Sequence, residues 1–475
     1  MKRLKQIQNR ISTGVKASVI YTLASLFSRG LAVITMPIFT RLMPPAEIGV
    51  VDLYNSWHAM IAVVASLSLT SGGFSLAMRE FKEERDQYIS SSLTLTSGIA
   101  LLLGLIYCLA PEFWNNLMKM PTGLMVLLVV HLLLSPAYDF WLLRQRYEYH
   151  YKAAGAVTFL CALAASAVSV CAVVSAANRG ITQLGTVRLY ANYGVLLSVA
   201  LFFWVRSFLR GRTFCSMRFW KFSLAISIPL IGNAFATQIL SVSDRVMIRS
   251  LVNAEVVGIY STLYTVSSLS LLVWSSINAS FVPYLFENLD KPEKKDSIDS
   301  IAIKLLSAFS AVAFLMTAVA PEIVKILATE KYYEAIYIMP PIAAGVFLTS
   351  VTNMYSNVLI YHKQTKYIMI STATAAAVNI VLNYFCIRLF GYGAAAYTTL
   401  IAYIIHAAIQ GVVSCRIHKR LTGGSVYNTG KVVRQSILTI VLCLLCLLLY
   451  GHTLLRYMAV GAAAVLLVVK FRPRQ

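Results

Sequence analysis

Acidic residues are scarce in this chain. Asp and Glu number 19 against 41 Lys and Arg, and charged residues of both signs fill only 13% of 475 positions. Soluble domains average about 25% charged residues, so an ordinary soluble protein is excluded. Catalytic signatures are missing too. There is no Walker A loop, no HExxH, no glycosidase-like pair of carboxylates and no repeated DxD-like acidic site. ATP hydrolysis and sugar-nucleotide transfer are therefore not expected. The eight Cys lie in or beside apolar runs. Cys443 and Cys446 have CxxC spacing, but no second pair or nearby His completes a metal site. Large loops that could house a membrane-embedded polymerase are also lacking.

What is present is apolar surface, with 58% hydrophobic residues. A bilayer core takes about 20 apolar residues to span as a helix, and backbone groups in lipid must be paired internally. The sequence gives about fourteen such runs. They are 15–40, 47–76, 88–110, 121–143, 153–176, 184–205, 221–248, 255–286, 300–320, 335–361, 366–388, 392–415, 432–450 and 453–470. The last two are short enough to read also as one re-entrant pair. The first, after MKRLKQIQNR, lacks an A-x-A-like site and reads as a span, not a cleaved leader.

A net charge of +22 would suggest nucleic acid in a soluble protein. Here the Lys and Arg fall in alternate short connections, where they report orientation. Arg79, Lys82 and Arg85 form one such group; Arg144, Arg146 and Lys152 another; Arg206, Arg210 and Arg212 a third; Lys291, Lys294 and Lys295 a fourth. The opposite connections carry few, among them Arg41, Lys119, Arg188 and Arg456. The pattern predicts an even span number, both termini cytoplasmic and no nucleic-acid partner.

The halves resemble each other. RLMPPAEIG, with Arg41 and Glu47, is echoed by RSLVNAEVVG, with Arg249 and Glu255. LAPEFWNNLM, with Pro111 and Glu112, is echoed by VAPEIVKILA, with Pro321 and Glu322. The echoes keep one order, and six spans separate the copies, so the repeats share one orientation. The expected architecture is an all-α integral membrane protein with two pseudo-symmetric six-helix lobes, 1–213 and 214–420, and two further helices in 421–475. Parallel repeats place a substrate site between them near the midplane.

LFSRG in the first run and SDRVMIRSLVNAEVVGIYS around the seventh and eighth resemble the multidrug/oligosaccharidyl-lipid/polysaccharide exporter superfamily, and within it the Wzx-type polysaccharide (O-antigen) flippases. The resemblance implies movement of an undecaprenyl-diphosphate-linked oligosaccharide from the cytoplasmic to the periplasmic leaflet of a bacterial inner membrane. A polysaccharide polymerase and a chain-length regulator are the partners it implies besides membrane lipid. Phe27-Ser28-Arg29 matches the FSR-like arginine of the related lipid II flippases, whose further first-helix arginines have no counterpart at Val33, Thr35 and Met36. The rival is an ion-coupled multidrug or cation antiporter of the same superfamily.

A charge inside a span is costly and marks a functional candidate. Ser18, Thr22, Ser25 and Arg29 share one face of the first span, and Asn233, Thr237, Ser241 and Arg245 share one face of the seventh. Guanidinium groups suit a diphosphate because they donate paired bonds to its oxygens. The alternative role for Arg245 is structural, neutralised by Asp244 beside it. Pro229 is a candidate kink. Arg29, Arg245, Ser25, Asn233, Thr237, Asn278 and Asn353 are the candidate substrate contacts. Asp139 lies on one face with His131 and Ser135; it and Asp244 are candidates for H+ or Na+ coupling. Asn357, Asn379 and Asn383 complete tandem amides that serve either sugars or helix packing. No cofactor or metal is expected.

Overall fold

The computed structural model describes residues 13–70 and 73–471. Among them there is no strand. The helices, in chain order, are α1 Thr13–Leu42, α2 Pro45–Ala65, α3 Gly73–Glu80, α4 Arg85–Leu109, α5 Pro111–Met118 and α6 Thr122–Tyr147. There follow α7 Tyr151–Asn178, α8 Leu184–Gly211, α9 Met217–Leu251, α10 Ala254–Ser268, α11 Leu271–Asn288 and α12 Lys295–Ala318. The last are α13 Ala320–Leu327, α14 Met339–Tyr361, α15 Thr365–Phe390, α16 Ala394–Thr422, α17 Thr429–Leu449 and α18 Thr453–Phe471.

Eleven spans among the described residues are long and apolar enough to cross a membrane, or twelve with the bent α9. The helix α1 of 30 residues and α18 of 19 occupy the positions of the first and last expected spans. α17 and α18 are separate helices joined at Tyr450–His452. On α4, Leu101, Leu105 and Leu109 recur every fourth residue and all are exposed. In water such a stripe would aggregate; against lipid tails it is solvated.

Two expected spans are broken. The second ends at Ala65, not near 76; a turn at 66–70 follows, and α3 resumes at Gly73. The eighth divides into α10 and α11 around Leu269 and Ser270. An interruption thus recurs in both repeats, after 21 residues in α2 and 15 in α10. So does a short helix after the third and ninth spans, α5 and α13, each opening with Pro in its first turn. Proline is favoured there because its missing N–H would have had no helical partner.

The chain divides into two compact units, Met1–Phe235 and Ala236–Gln475, the dividing point lying within α9. α9 bends by 49° between Met217–Ile228 and Leu230–Leu251. Pro229, at the break, has no N–H to close the helical ladder. In the first unit Phe74, Met78, Tyr88, Phe140 and Phe219 build the hydrophobic core. In the second, Trp274, Phe281, Phe309, Phe347 and Tyr355 do so. α17 and α18 join the second unit. Asp299 accepts from the Asn428 N–H at 2.7 Å and pairs with Lys431 at 2.9 Å, which ties down the start of α17. Ser310 and Thr439 hydroxyls meet at 2.7 Å, and Tyr450 donates to the Thr317 carbonyl at 2.9 Å.

Candidate functional site

In the first unit the polar groups gather around a cavity of about 280 Å³ lined by α2, α6, α7 and α8. His131, Ser135 and Asp139 stand on α6 at spacings of four, and all three line it. The shared face read from the sequence is therefore a cavity wall. The Asp139 side chain, on a helix packed within the unit, is exposed because it faces this opening. Pro136, also in the wall, cannot pair with the Leu132 carbonyl one turn earlier. His58 of α2 stacks on His131 with ring centroids 3.7 Å apart. The Tyr54 hydroxyl meets His131 Nδ1 at 3.3 Å. Tyr193 donates to Asn55 Oδ1 at 2.6 Å.

His58 was not singled out by sequence, since it stands alone on its helix and only the tertiary fold brings it to His131. Arg188, counted with the connections, lies inside α8. Its guanidinium sits 3.7 Å from the centre of the Phe39 ring, a cation–π contact, and senses Asp52. Near one end of the same unit a second cavity of about 340 Å³ is lined by Asp86, Arg144, Glu148, Arg206 and Arg210 among others. Its acids are already engaged. Arg144 pairs with Asp86, and both Arg144 and Arg85 reach Glu148 at 3.1 Å.

In the second unit the candidate polar groups are paired with one another. Asp244 is 3% exposed and Arg245 11%, with Nη1 and Oδ1 3.6 Å apart. Asp244 Oδ1 also accepts the Arg245 N–H at 2.8 Å, and Arg245 Nη1 donates to the Ser241 carbonyl at 2.7 Å. The guanidinium lies 4.4 Å from the Tyr264 ring centre. The adjacent acid anticipated from sequence thus does compensate Arg245. The tandem amides of α15 form a ladder. Ser243 donates to Asn379 at 2.9 Å, as does Asn383 at 3.1 Å, while Asn379 reaches Thr399 at 3.3 Å and Thr398 donates to Asn383. This ladder joins α9, α15 and α16, so these amides serve packing.

Asn278 accepts from Asn357 at 3.0 Å, linking α11 to α14. Asn353 is half-buried on α14. Asn233 and Thr237 are on α9 and both are engaged with neighbouring groups. The side chains of Ser25 and Arg29 lie outside the described residues. No trio of His, Cys, Asp and Glu suited to a metal occurs among the described residues.

The chain is similar in fold to a lipid II flippase, MurJ, in an inward closed conformation, with 16% identity, coverage of 96% of this chain and 99% of that one, and a TM-score of 0.65. A multidrug resistance MATE family transporter of the MOP superfamily, inward-facing, gives 15% identity, coverage of 86% and 99%, and a TM-score of 0.66. A MOP superfamily transporter from Pyrococcus furiosus, described by a binding pocket of reverse polarity, gives 16%, 87%, 97% and 0.54. These identities carry the fold alone. No curated protein sequence matches. The family model described as "Polysaccharide biosynthesis protein" matches residues 15–289. That stretch is more than half of the 475 residues, so the chain belongs to the polysaccharide biosynthesis protein family, built on the fold of the multidrug/oligosaccharidyl-lipid/polysaccharide exporter superfamily.

Proposed function

We propose that this protein flips an undecaprenyl-diphosphate-linked oligosaccharide, an O-antigen repeat or similar unit, from the cytoplasmic to the periplasmic leaflet of a bacterial inner membrane. Both termini are cytoplasmic in this reading, and the lobes work by alternating access. The observation that carries it is the family match, which joins a transporter fold to polysaccharide assembly. An amphiphile with a large polar head needs such a path, because lipid gives its charged diphosphate no hydrogen bonds. Arg29 supplies positive charge, and Arg245 joins it only once its pair with Asp244 opens, with Ser25, Asn233, Thr237, Asn278 and Asn353 offered to the glycan. In this reading Asp139 and Asp244 are the acids that couple to H+ or Na+. A polymerase and chain-length regulator would consume the product.

The test is surface polysaccharide in a deletion strain complemented with variants. The wild type restores it. Arg29→Ala does not, at wild-type levels of inserted protein, and Arg29→Lys restores it in part. Undiminished polysaccharide in the deletion strain removes the flippase reading; undiminished polysaccharide with Arg29→Ala removes Arg29 from the site.

The second reading is a cation antiporter. It is favoured by Asp139, a carboxylate facing a cavity within the span α6, and by the MATE-like fold. Ethidium efflux that requires Asp139 and leaves surface polysaccharide unchanged would select it.

A further inference from the structure

The stacked histidines in the first unit have no part in glycan binding as proposed above. Both rings line the cavity of the first unit together with Ser135 and Asp139. We propose that His58, His131 and Asp139 form a proton relay through the first lobe, with Ser135 between them. The inference rests on the coupled-flippase reading for its purpose, and on geometry for its existence.

Three observations converge. First, the imidazoles are 3.7 Å apart and nearly parallel, at 8°. Two positive rings at that distance repel, so the pair accepts at most one proton. Second, the two outer nitrogens differ. His131 Nδ1 is engaged by the Tyr54 hydroxyl at 3.3 Å, whereas His58 Nε2 is buried with no hydrogen-bond partner among the described residues. A buried imidazole nitrogen in that position is a proton acceptor in waiting. Third, Asp139 is eight residues beyond His131, about 12 Å along the helix at 1.5 Å per residue. Both line one cavity of about 280 Å³, with Ser135 halfway. At about 30 Å³ per water, that space accommodates a chain bridging the two ends.

The step balances as a proton transfer. The O–H bond of protonated Asp139 breaks and leaves a carboxylate. An N–H bond forms on the histidine pair, which becomes imidazolium, with Ser135 and water handing the proton on. Other charged and titratable groups surround the path. α2 contributes Asp52 and Tyr54; α6 contributes Tyr138 and Arg146; α7 contributes Cys161; α8 contributes Arg188, Tyr190 and Tyr193. Arg146 and Arg188 disfavour extra positive charge, while Asp52 and Asp139 favour it, so a single mobile proton suits the mixture. Imidazole nitrogens select a proton over sodium, which prefers a shell of oxygens.

The experiment is a pH titration of the full chain, 15N-labelled at histidine, in lipid nanodiscs. His58→Gln and His131→Gln assign the two signals. In the wild type both move in one shared step that takes up one proton. Each variant shifts the remaining ring by at least tenfold in proton affinity. Asp139→Asn slows exchange of that proton with solvent at least tenfold, and Asp139→Glu restores it. Two independent steps in the wild type, or none, overturn the relay without any variant being needed. Unchanged exchange in Asp139→Asn overturns the role of Asp139. The outcome is separable from that of the flippase test: a shared step alongside intact surface polysaccharide in the deletion strain keeps the relay and discards the flippase. Independent steps alongside lost polysaccharide do the reverse.

Discussion

The two units carry the same repeat and use their polar residues in opposite ways. The fourth span of the first, Thr122–Tyr147, has 33% of its most apolar window buried. Its counterpart in the second, Glu330–Tyr361, has 83% buried. Part of the reason is α17, which packs on α12 and α14 in the second unit. The repeated acids diverge in the same sense. Glu322 accepts from Arg456 and Tyr457 of α18, while Glu112 is exposed at the corresponding point of the first unit. The exchange runs the other way for the other pair. Glu47 accepts the Gly185 N–H at 2.6 Å, at the positive end of α8, while Glu255 is exposed. Gly185 has to be glycine because a Cβ there would run into the Glu47 carbonyl. One helical plan therefore serves a unit with a cavity around titratable groups and another in which Asp244 and Arg245 are paired and the cavity, of about 500 Å³, is lined mainly by apolar side chains.

The sharpest way to break this comparison is to unlock the second unit. Asp244→Ala leaves Arg245 buried without its carboxylate. Removing one partner of a buried pair costs about 3–5 kcal/mol. The expected outcome is a large loss of thermal stability in detergent, relieved when Arg245→Met is added. A small loss, or no relief in the double variant, would show that the pair is not what holds Arg245.

Next in size is the divergence of the repeated glutamates. Glu322→Gln takes the paired charge from buried Arg456, whose Nε and Nη1 have no hydrogen-bond partner among the described residues. It is expected to cost about 2 kcal/mol, the range for a charged hydrogen bond. Glu112→Gln, on an exposed side chain, stays within about 0.5 kcal/mol. Equal effects in melting experiments would mean that α18 adds nothing at this contact.

The sequence made the scaffold readable because lipid demands long apolar runs. It did not show the breaks after Ala65 and Ser268. The residues there, SLSLT and LS, are as apolar as the spans they interrupt. The face of His131, Ser135 and Asp139 was legible from a spacing of four, because residues of one helix report their shared side. His58, Arg188 and Arg456 were not, because each meets its partner on another helix. Arg456 reads as a loop charge beside His452, yet it is buried against Glu322. Asn379 and Asn383 were visible as a pair, but their closing partners Thr398 and Thr399 lie across the next connection.

The smallest expected difference is also the most specific. Ser243 and Ser135 are both serines within spans. Ser243 is buried and its hydroxyl donates to Asn379 at 2.9 Å, so Ser243→Ala strips one bond from a closed ladder. Hydrogen bonds between membrane helices average about 0.6 kcal/mol, and that is the expected loss. Ser135 is only half-buried and faces the cavity. Ser135→Ala replaces one wall atom where water stays in reach, so stability is expected to remain within about 0.3 kcal/mol, inside the range for sites that break no buried contact. Unfolding free energies measured on both variants in one detergent would decide it. A cost at Ser135 as large as at Ser243 would mean that the first unit is locked like the second, and that its cavity is packing imperfection and not a path kept open.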